Sequence, residues 1–408
     1  MLSLPSLSSF MPSFGGAKVG PIKLSPVKVF DVEVEKDKAG RTIKHLLKLN
    51  HANHAILFND RKFHNHLPHH LGSAYLLGAS SEHLEDVYDD DTDLVKWEDS
   101  PNEVSKYDWR DYLGKKEYER AYVDFFEDTL VEQGYNWEKV VQKYMFEGKD
   151  PIGNNLIGGL CHPLIHLGYA VELNSKEVAM EALGMTAVCY NFLHKYLDEP
   201  SYTKPSPRSS TDLLSLLKQV KADTAFDFDG SHSMEQLFSE RESEMMDYWN
   251  AWDLSNPKRQ FEASQYAAAA LLSGTGAFDF FFVHSLTSSH AVRILLPVVP
   301  AEWQLPLVRQ WWLITLAVYV MQQRPAINLD DIRRFDHKGR DWTWVDKQGI
   351  ERERWALDAH YVKAVRALKE CANVWGDPEQ FFLKAAVKFA SEFKGWAFEH
   401  VESEHRYH

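Results

Sequence analysis

The pattern of apolar and polar positions is helical along most of this 408-residue chain. Apolar residues recur at intervals of three and four, the spacing that places them on one face of an α-helix. Pro, Gly, Asn and Asp stand at the ends of these stretches, where helices start and stop. The clearest predicted helices cover residues 108–133, 175–197, 234–254, 261–273 and 303–323. The sequence therefore predicts an all-α protein, a multi-helix bundle-like domain whose helices would carry the side chains of any site.

Three segments depart from this pattern. Residues 1–40 are rich in Pro, Ser and Gly, with β-branched residues near 27–34, and are predicted to form an extended N-terminal arm. Residues 199–211 are a candidate internal linker, and residues 340–350 are predicted to form one small β-hairpin. Because neither segment divides the chain into independent parts, a single large domain is predicted over residues 41–408.

Acidic residues outnumber basic residues by 59 to 45, which gives a formal net charge of −14 at pH 7. A surface of that sign repels phosphate backbones and anionic lipid headgroups, so neither nucleic acid nor a membrane is an expected partner. The longest apolar run, residues 311–321, is short of the roughly 20 residues that a helix needs to span a bilayer. Nothing in the sequence sets the oligomeric state.

The chain has three cysteines, Cys161, Cys189 and Cys371. Their odd number and unpaired spacing favour a reducing compartment over a disulfide framework. The N-terminal stretch lacks the basic start of a secretory signal, so a cytoplasmic protein is expected. Aromatic residues make up 13% of the chain, enough to line a pocket for a planar ligand, although ordinary core packing accounts for most of them.

Histidines number 19, and those of interest fall in four apolar segments that are predicted to be helical. In the first segment a helix is expected to begin near His66, since Pro68 is tolerated in a first turn. That turn would present His66 together with His69 or His70 on one side. A surface or helix-capping role is the alternative for such a cluster.

The second segment contains His162 and His166, four residues apart in an apolar run. On a regular helix this spacing stacks both imidazoles on one face, where they can share one ion. Pro163 disfavours the α-helical region for the residue before it, so His162 is expected at the helix start. Core or surface histidines without a metal are the alternative.

The third segment places His284 after three phenylalanines on a hydrophobic helix. A metal ion together with a hydrogen-bond acceptor would satisfy both ring nitrogens, and a hydrogen-bonded core histidine is the alternative. In the fourth segment His360 and Lys363 are three residues apart and share a helix face. A lysine buried there tends to lose its proton, and a neutral amine can add carbon dioxide to give a carbamate, a carboxylate-like ligand. A surface lysine is the alternative.

Imidazoles on four apolar helices are costly to bury together unless something occupies the space between them. Imidazole-dominated ligation suits iron, copper or zinc, and the lack of a thiolate set argues against an iron–sulfur cluster. The sequence contains no HExxH motif, which argues against a zinc hydrolase. The residues alone predict a histidine-rich metal site without choosing the ion.

These four segments resemble those of the questin oxidase family, and the resemblance covers most of the chain after residue 40. The matching residues stand in the order and at the spacing expected of that family. They are Asn65 and His66 with Leu77, Gly78 and Ala79; His162 and His166; Asp279, Phe280, Phe281, His284, Thr287 and Ser288; and Asp358, His360, Lys363, Arg366, Ala367 and Leu368.

The resemblance implies an oxidoreductase that uses dioxygen to open the quinone ring of an anthraquinone such as questin, in fungal aromatic polyketide biosynthesis. One branch of the family resembles a non-haem iron dioxygenase whose iron(II) is held by four histidines and a carboxylated lysine. On this resemblance the expected ligands are His66, His162 and His284, then His166 or His360, with Lys363 as the carboxylated ligand. His66, His162, His284 and Lys363 are expected to be the catalytic residues. Asp358 and Asn65 are expected to orient the ligands.

Two alternatives stay open. Members of this family have also been described as NADPH-dependent Baeyer-Villiger monooxygenases that act on the same class of substrate. A nicotinamide site should show a glycine-rich turn after a strand, whereas Gly274-Thr275-Gly276 lacks the third glycine and follows a predicted helix. NADPH is therefore not favoured as a cofactor. The other alternative is a non-catalytic protein that binds a polyketide in an aromatic pocket.

Overall fold

A computed structural model describes residues 21–58, 63–90, 94–228, 233–351 and 353–397. These residues are largely helical, which confirms the predicted all-α fold class. The helices are α1 (Lys38–Asn53), α2 (Leu67–Leu76), α3 (Ser81–Asp90), α4 (Glu119–Glu132), α5 (Trp137–Val141), α6 (His162–Leu173), α7 (Lys176–Val188), α8 (Lys195–Asp198), α9 (Leu213–Ala222), α10 (Met234–Ala251), α11 (Pro257–Ser273), α12 (Phe280–Leu295), α13 (Ala301–Met321), α14 (Leu329–Arg333), α15 (Trp342–Glu351), α16 (Ala359–Trp375) and α17 (Phe381–Glu392). Two short strands, β1 (Leu57–Phe58) and β2 (Phe63–His64), pair antiparallel.

Most predicted helices match the observed ones, but two are shorter than expected. The predicted helix at 108–133 is interrupted at Gly114, whose φ of 79° is left-handed and whose N–H bonds the carbonyl of Ala187. Regular α-helix therefore starts only at α4. The predicted helix at 175–197 ends with α7, because the side chain of Asn191 accepts a hydrogen bond that begins a separate 3-10 turn.

The β-hairpin predicted at 340–350 is wrong, because this segment forms α15. Val345 and Gly349 are one helical turn apart, and both are buried. The backbone at Gly349 approaches α2 so closely that a Cβ atom there would lie 2.7 Å from a methyl carbon of Leu77. Packing against neighbouring helices therefore decides the conformation that local sequence left ambiguous.

The described part of the predicted arm, residues 21–37, is extended chain with turns. It lies along α6, where the N–H of Phe30 donates to the carbonyl of Glu172 at 2.7 Å. The arm ends close to its predicted boundary, because the side chain of Asp37 caps the N-terminus of α1. Residues 1–20 lie outside the described residues.

Four helices meet around the centre of the molecule. α12 packs against α6 and α16, and α2 also packs against both α6 and α16. One hydrophobic core continues across the candidate linker at 199–211, with Tyr196 before it and Leu213 after it. Among the described residues, no helix combines the length and the apolar character needed to cross a membrane. The single-domain boundaries of 41–408 stay a prediction.

Candidate metal centre

Each of the four central helices has at least one histidine at or near its N-terminal end, and one from each helix is of interest here. His66 immediately precedes α2, His162 is the first residue of α6, His360 is the second residue of α16, and His284 lies just after the first turn of α12. Both α2 and α6 have a proline in the first turn. Proline has no backbone N–H, and the N–H groups of a first turn have no partner within the helix, so proline is compatible with these helix starts. Four helix N-termini, each with a partial positive charge, thus lie near one point.

The four imidazoles converge in space. One ring nitrogen from each of His66, His162, His284 and His360 lies within 4.8 Å of the others. The Nε2 atoms of His66 and His162 are 2.8 Å apart, and those of His284 and His360 are 3.2 Å apart. Histidines that are separated by as many as 294 positions in sequence therefore form one four-histidine cluster.

Backbone carbonyls orient two of these rings. The Nδ1–H of His162 donates to the carbonyl of Gly159 at 2.6 Å, and that of His284 donates to the carbonyl of Phe280 at 2.9 Å. For His162 this contact depends on a tight turn in which Gly159 and Cys161 both have positive φ. With Nδ1 protonated, each neutral ring presents the lone pair of Nε2 to the cluster.

The four imidazoles of the cluster are uncharged near neutral pH. Burial lowers the pKa of all four histidines, to about 3 for His284, and the positive charge of Lys363 lowers each of them further. Neutral imidazole is the form that binds metal ions.

Lys363 lies on α16 one turn after His360, and its charge acts on all four clustered histidines. Its side chain is 1% exposed, and its Nζ has no hydrogen-bond partner among the described residues. Burial lowers the pKa of Lys363 to about 7, although the nearby Asp358 carboxylate opposes the shift. A substantial fraction of this amine is therefore neutral and nucleophilic near pH 7.

Asp358 and Asn65 act on the backbone next to the cluster. The Asp358 carboxylate accepts the N–H of His360 and caps α16, and its other oxygen accepts from Trp396. The Asn65 side chain accepts the N–H of Leu67 at the start of α2. Both residues therefore fix the helix ends that carry His360 and His66. They do so through hydrogen bonds to the backbone, and the described contacts include no hydrogen bond from either residue to an imidazole of the cluster.

His166 does not join the cluster, although it is one turn from His162. Its Nε2 lies 2.8 Å from a carboxylate oxygen of Glu181, and its Nδ1 lies 3.0 Å from Nε2 of His69. Both ring nitrogens are thus engaged elsewhere. The expectation that His166 is a metal ligand is not supported by its position, and His360 occupies the fourth place instead.

A buried hydrogen-bonded chain runs from the cluster towards the surface. Beyond His166, the second oxygen of Glu181 bonds His51 at 2.8 Å, and His51 bonds Glu127 at 2.8 Å. At the inner end, His69 stands beside His66 with a ring-centroid distance of 5.7 Å. Sequence patterns did not predict a role for Glu181 or His51, and the available signal for Glu181 was a carboxylate within an otherwise mostly apolar helix.

The tautomers of this chain follow from the Glu181 carboxylate. Because a carboxylate only accepts hydrogen bonds, His166 donates from Nε2, and in the neutral form of its ring Nδ1 accepts from His69. The Nδ1 atom of His69 is then left with a lone pair, and it is buried without a partner among the described residues. The chain thus presents an unprotonated nitrogen beside the cluster.

We expect the stability of the fold to decrease as pH rises from 7 to 10. Burial would lower the pKa of His51, but hydrogen bonds to Glu127 and Glu181 outweigh this effect and raise the pKa to about 10. Protonation of His51 therefore stabilises the folded state. This contribution is fully present below pH 6.5, the ordinary pKa of histidine, and it is lost as the pH rises through about 10, the pKa of His51 in the folded protein. Urea unfolding at several pH values measures this loss. The His51→Gln variant should show a flatter dependence, and an equally steep one would refute the assignment.

One side of the cluster is open. His162 and His284 are buried, whereas His66 and His360 are partly exposed. Two partly exposed aromatic rings stand beside His360, with ring-centroid distances of 4.5 Å for Phe280 and 6.2 Å for Trp396. A ligand that reaches the cluster from this side meets flat aromatic surface.

The fold and the cluster together define a helical protein with a histidine-rich candidate metal centre. The chain belongs to the questin oxidase-like family, whose profile matches residues 63–368, and it is an oxidoreductase. It is 27% identical to a Baeyer-Villiger oxidase of Pestalotiopsis microspora, over 84% of this chain and 83% of the relative. It is 26% identical to a questin oxidase of Aspergillus terreus, over 80% of this chain and 79% of the relative. The family predicted from sequence is thereby confirmed.

Proposed function

We propose that this protein is an iron-dependent dioxygenase that cleaves a carbon–carbon bond in the quinone ring of an anthraquinone such as questin. The observation that carries the proposal is the convergence of four neutral imidazoles, with a buried lysine one helical turn from His360 whose amine has no hydrogen-bond partner among the described residues. The names of the relatives, questin oxidase and Baeyer-Villiger oxidase, support the substrate class and the oxidative chemistry.

The residues fit a metal ion. Two ligands on opposite sides of one ion stand about 4.2 Å apart when each bond is about 2.1 Å, close to the 4.8 Å limit of this cluster. Without an ion the four ring nitrogens can pair only two by two, His66 with His162 and His284 with His360, whereas a cation can accept the lone pairs of all four. His66, His162, His284 and His360 would hold the ion, with Lys363 as a fifth ligand. Bound iron(II) would supply the one-electron chemistry needed to react with dioxygen.

Lys363 acts as a ligand after modification. Its neutral amine attacks carbon dioxide, an N–C bond forms, and one amine proton is released, so that the product is a carbamate with a negative charge. Helix N-termini and a bound cation both favour that negative charge. In that form the buried group would carry a negative charge that a bound cation offsets, which would account for the burial of a lysine at this position.

The open side of the cluster orients the substrate. A planar polycyclic ring packs against Phe280 and Trp396, with its edge towards His66 and His360. These residues would bind and orient the substrate beside the partly exposed His66 and His360.

An NADPH-dependent Baeyer-Villiger monooxygenase is the second candidate, and the names of several relatives favour it. The region around Gly274-Thr275-Gly276 offers it little support. This segment follows the end of α11 and leads into α12, so it is not the strand-to-helix turn that binds dinucleotides. A protein that only binds a polyketide is disfavoured because the family is one of oxidoreductases.

The deciding experiment measures iron content and dioxygen uptake with questin in the same preparations. We expect stoichiometric iron and questin-dependent uptake, and in the His284→Ala variant both should fall by at least about tenfold because a ligand is lost. His45→Ala, which changes an exposed histidine of α1, is the matched control and should retain both. Full turnover by iron-free protein in the presence of NADPH would reject the iron site and favour the second candidate.

A further inference from the structure

A second buried group of charged side chains lies beneath the extended segment 23–30. Arg293 of α12 and Arg366 of α16 line a cavity of about 670 Å³ between that segment and the helices. None of the four clustered histidines lines this cavity. Its volume is that of a typical small-molecule site. The cavity is therefore a separate candidate site.

The two arginines have hydrogen-bond donors that the described residues do not satisfy. Arg293 is 5% exposed and donates from Nη2 to the carbonyl of Ser25 at 2.7 Å, while its Nε and Nη1 have no partner among the described residues. Arg366 is 3% exposed and pairs through Nη2 with Glu172, while its Nη1 has no partner within the same described ranges. Leaving charged donors unpaired in a buried place is costly, which points to a missing acceptor.

The lining of the cavity has an excess of positive charge. Five basic and three acidic side chains line it, and one of the carboxylates, that of Glu172, is already paired with Arg366. Apolar walls stand beside these charges, among them Phe30, Leu76 and Trp375. A molecule that fits both features has a flat apolar body and an anionic group.

We propose that this cavity binds a planar organic anion whose carboxylate or phosphate accepts hydrogen bonds from Arg293 and Arg366. Arg293 and Arg366 both have N–H donors that the described residues leave unpaired, and a carboxylate or phosphate has several oxygens that can accept from them. The aromatic body of the ligand packs against Phe30 and Trp375. Segment 23–30 closes over the ligand, tied to α12 by the bond between Ser25 and Arg293. The proposal does not depend on the iron site.

Calorimetric titration of the full chain with three probes tests this site: 2-naphthoate, 2-naphthyl phosphate and the neutral 2-naphthalenemethanol. We expect at least one anion to bind at least about tenfold more tightly than the alcohol, because its charged group accepts hydrogen bonds from the arginines and the neutral hydroxyl group does so more weakly. The anion that binds more tightly shows whether the site recognises a carboxylate or a phosphate. Equal binding of all three probes would overturn the proposal.

Variants locate the binding. Arg293→Met keeps the apolar stem and should weaken anion binding by at least about tenfold, whereas Arg334→Met, at an exposed arginine, should leave it unchanged. An anion held instead by a metal at the four-histidine cluster would not respond to Arg293→Met, and that result would also overturn the proposal. If the Arg293 variant does not fold, Lys258→Met, at an exposed residue of the cavity rim, should weaken binding by about threefold, and no change would count against the site.

Discussion

Replacing Lys363 by methionine should abolish questin-dependent dioxygen uptake, with at least about a hundredfold loss, while the protein stays folded. In the proposed site the variant loses a ligand and its negative charge. The same substitution removes a buried amine that has no hydrogen-bond partner in the described part of the chain, so the free energy of unfolding should stay constant or increase by about 1–3 kcal/mol. Loss of activity without loss of stability separates a functional lysine from a structural one.

Iron analysis and urea unfolding of the same variant provide the measurements. Lys369→Met is the matched control, because Lys369 lies on the same helix but pairs with Asp346 near the surface. Added acetate should restore part of the iron content in Lys363→Met by supplying a carboxylate to the vacated space. Normal iron content and normal uptake in the variant without acetate would remove Lys363 from the site.

Substitution of Glu181 by alanine should produce the largest loss of stability, about 3–5 kcal/mol, as expected when one partner of a buried charged network is removed. Glu181 is 2% exposed and accepts hydrogen bonds from both His51 and His166. Without it, the protonated His51 keeps only Glu127, and His166 loses the acceptor that sets its tautomer. The loss should appear as a lower urea midpoint at pH 7.

Comparison with Glu138→Ala shows whether the burial of Glu181 is the reason for the loss of stability in Glu181→Ala. Glu138 is exposed on α5, so its removal should change the free energy of unfolding by no more than about 0.5 kcal/mol. Glu181→Gln keeps the shape and one acceptor oxygen, and it should fall between the two alanine variants. Equal stabilities of Glu181→Ala and Glu138→Ala would show that the chain from His69 to Glu127 contributes little to the fold.

Helix positions were largely predictable because they depend on local chemistry. The apolar periodicity of α10, α11 and α13 extends over four or more turns, and each helix starts close to a capping side chain or a proline. The segment that forms α15 was mispredicted because it is short and rich in Trp and Val, which local preference places in strands. Its burial against α16 and against Leu77 at the end of α2 reverses that preference.

The sequence by itself determined the helical class, the family and a short set of candidate ligands, because these depend on residue spacing and on motifs within single segments. It left His166 and His360 as equal candidates, since both are histidines on apolar helices. Only the tertiary structure separated them. His166 meets Glu181 of α7, whereas His360 is brought to His284 by the packing of α16 on α12. Contacts between distant segments are set by how helices pack, and a single sequence does not specify that packing locally.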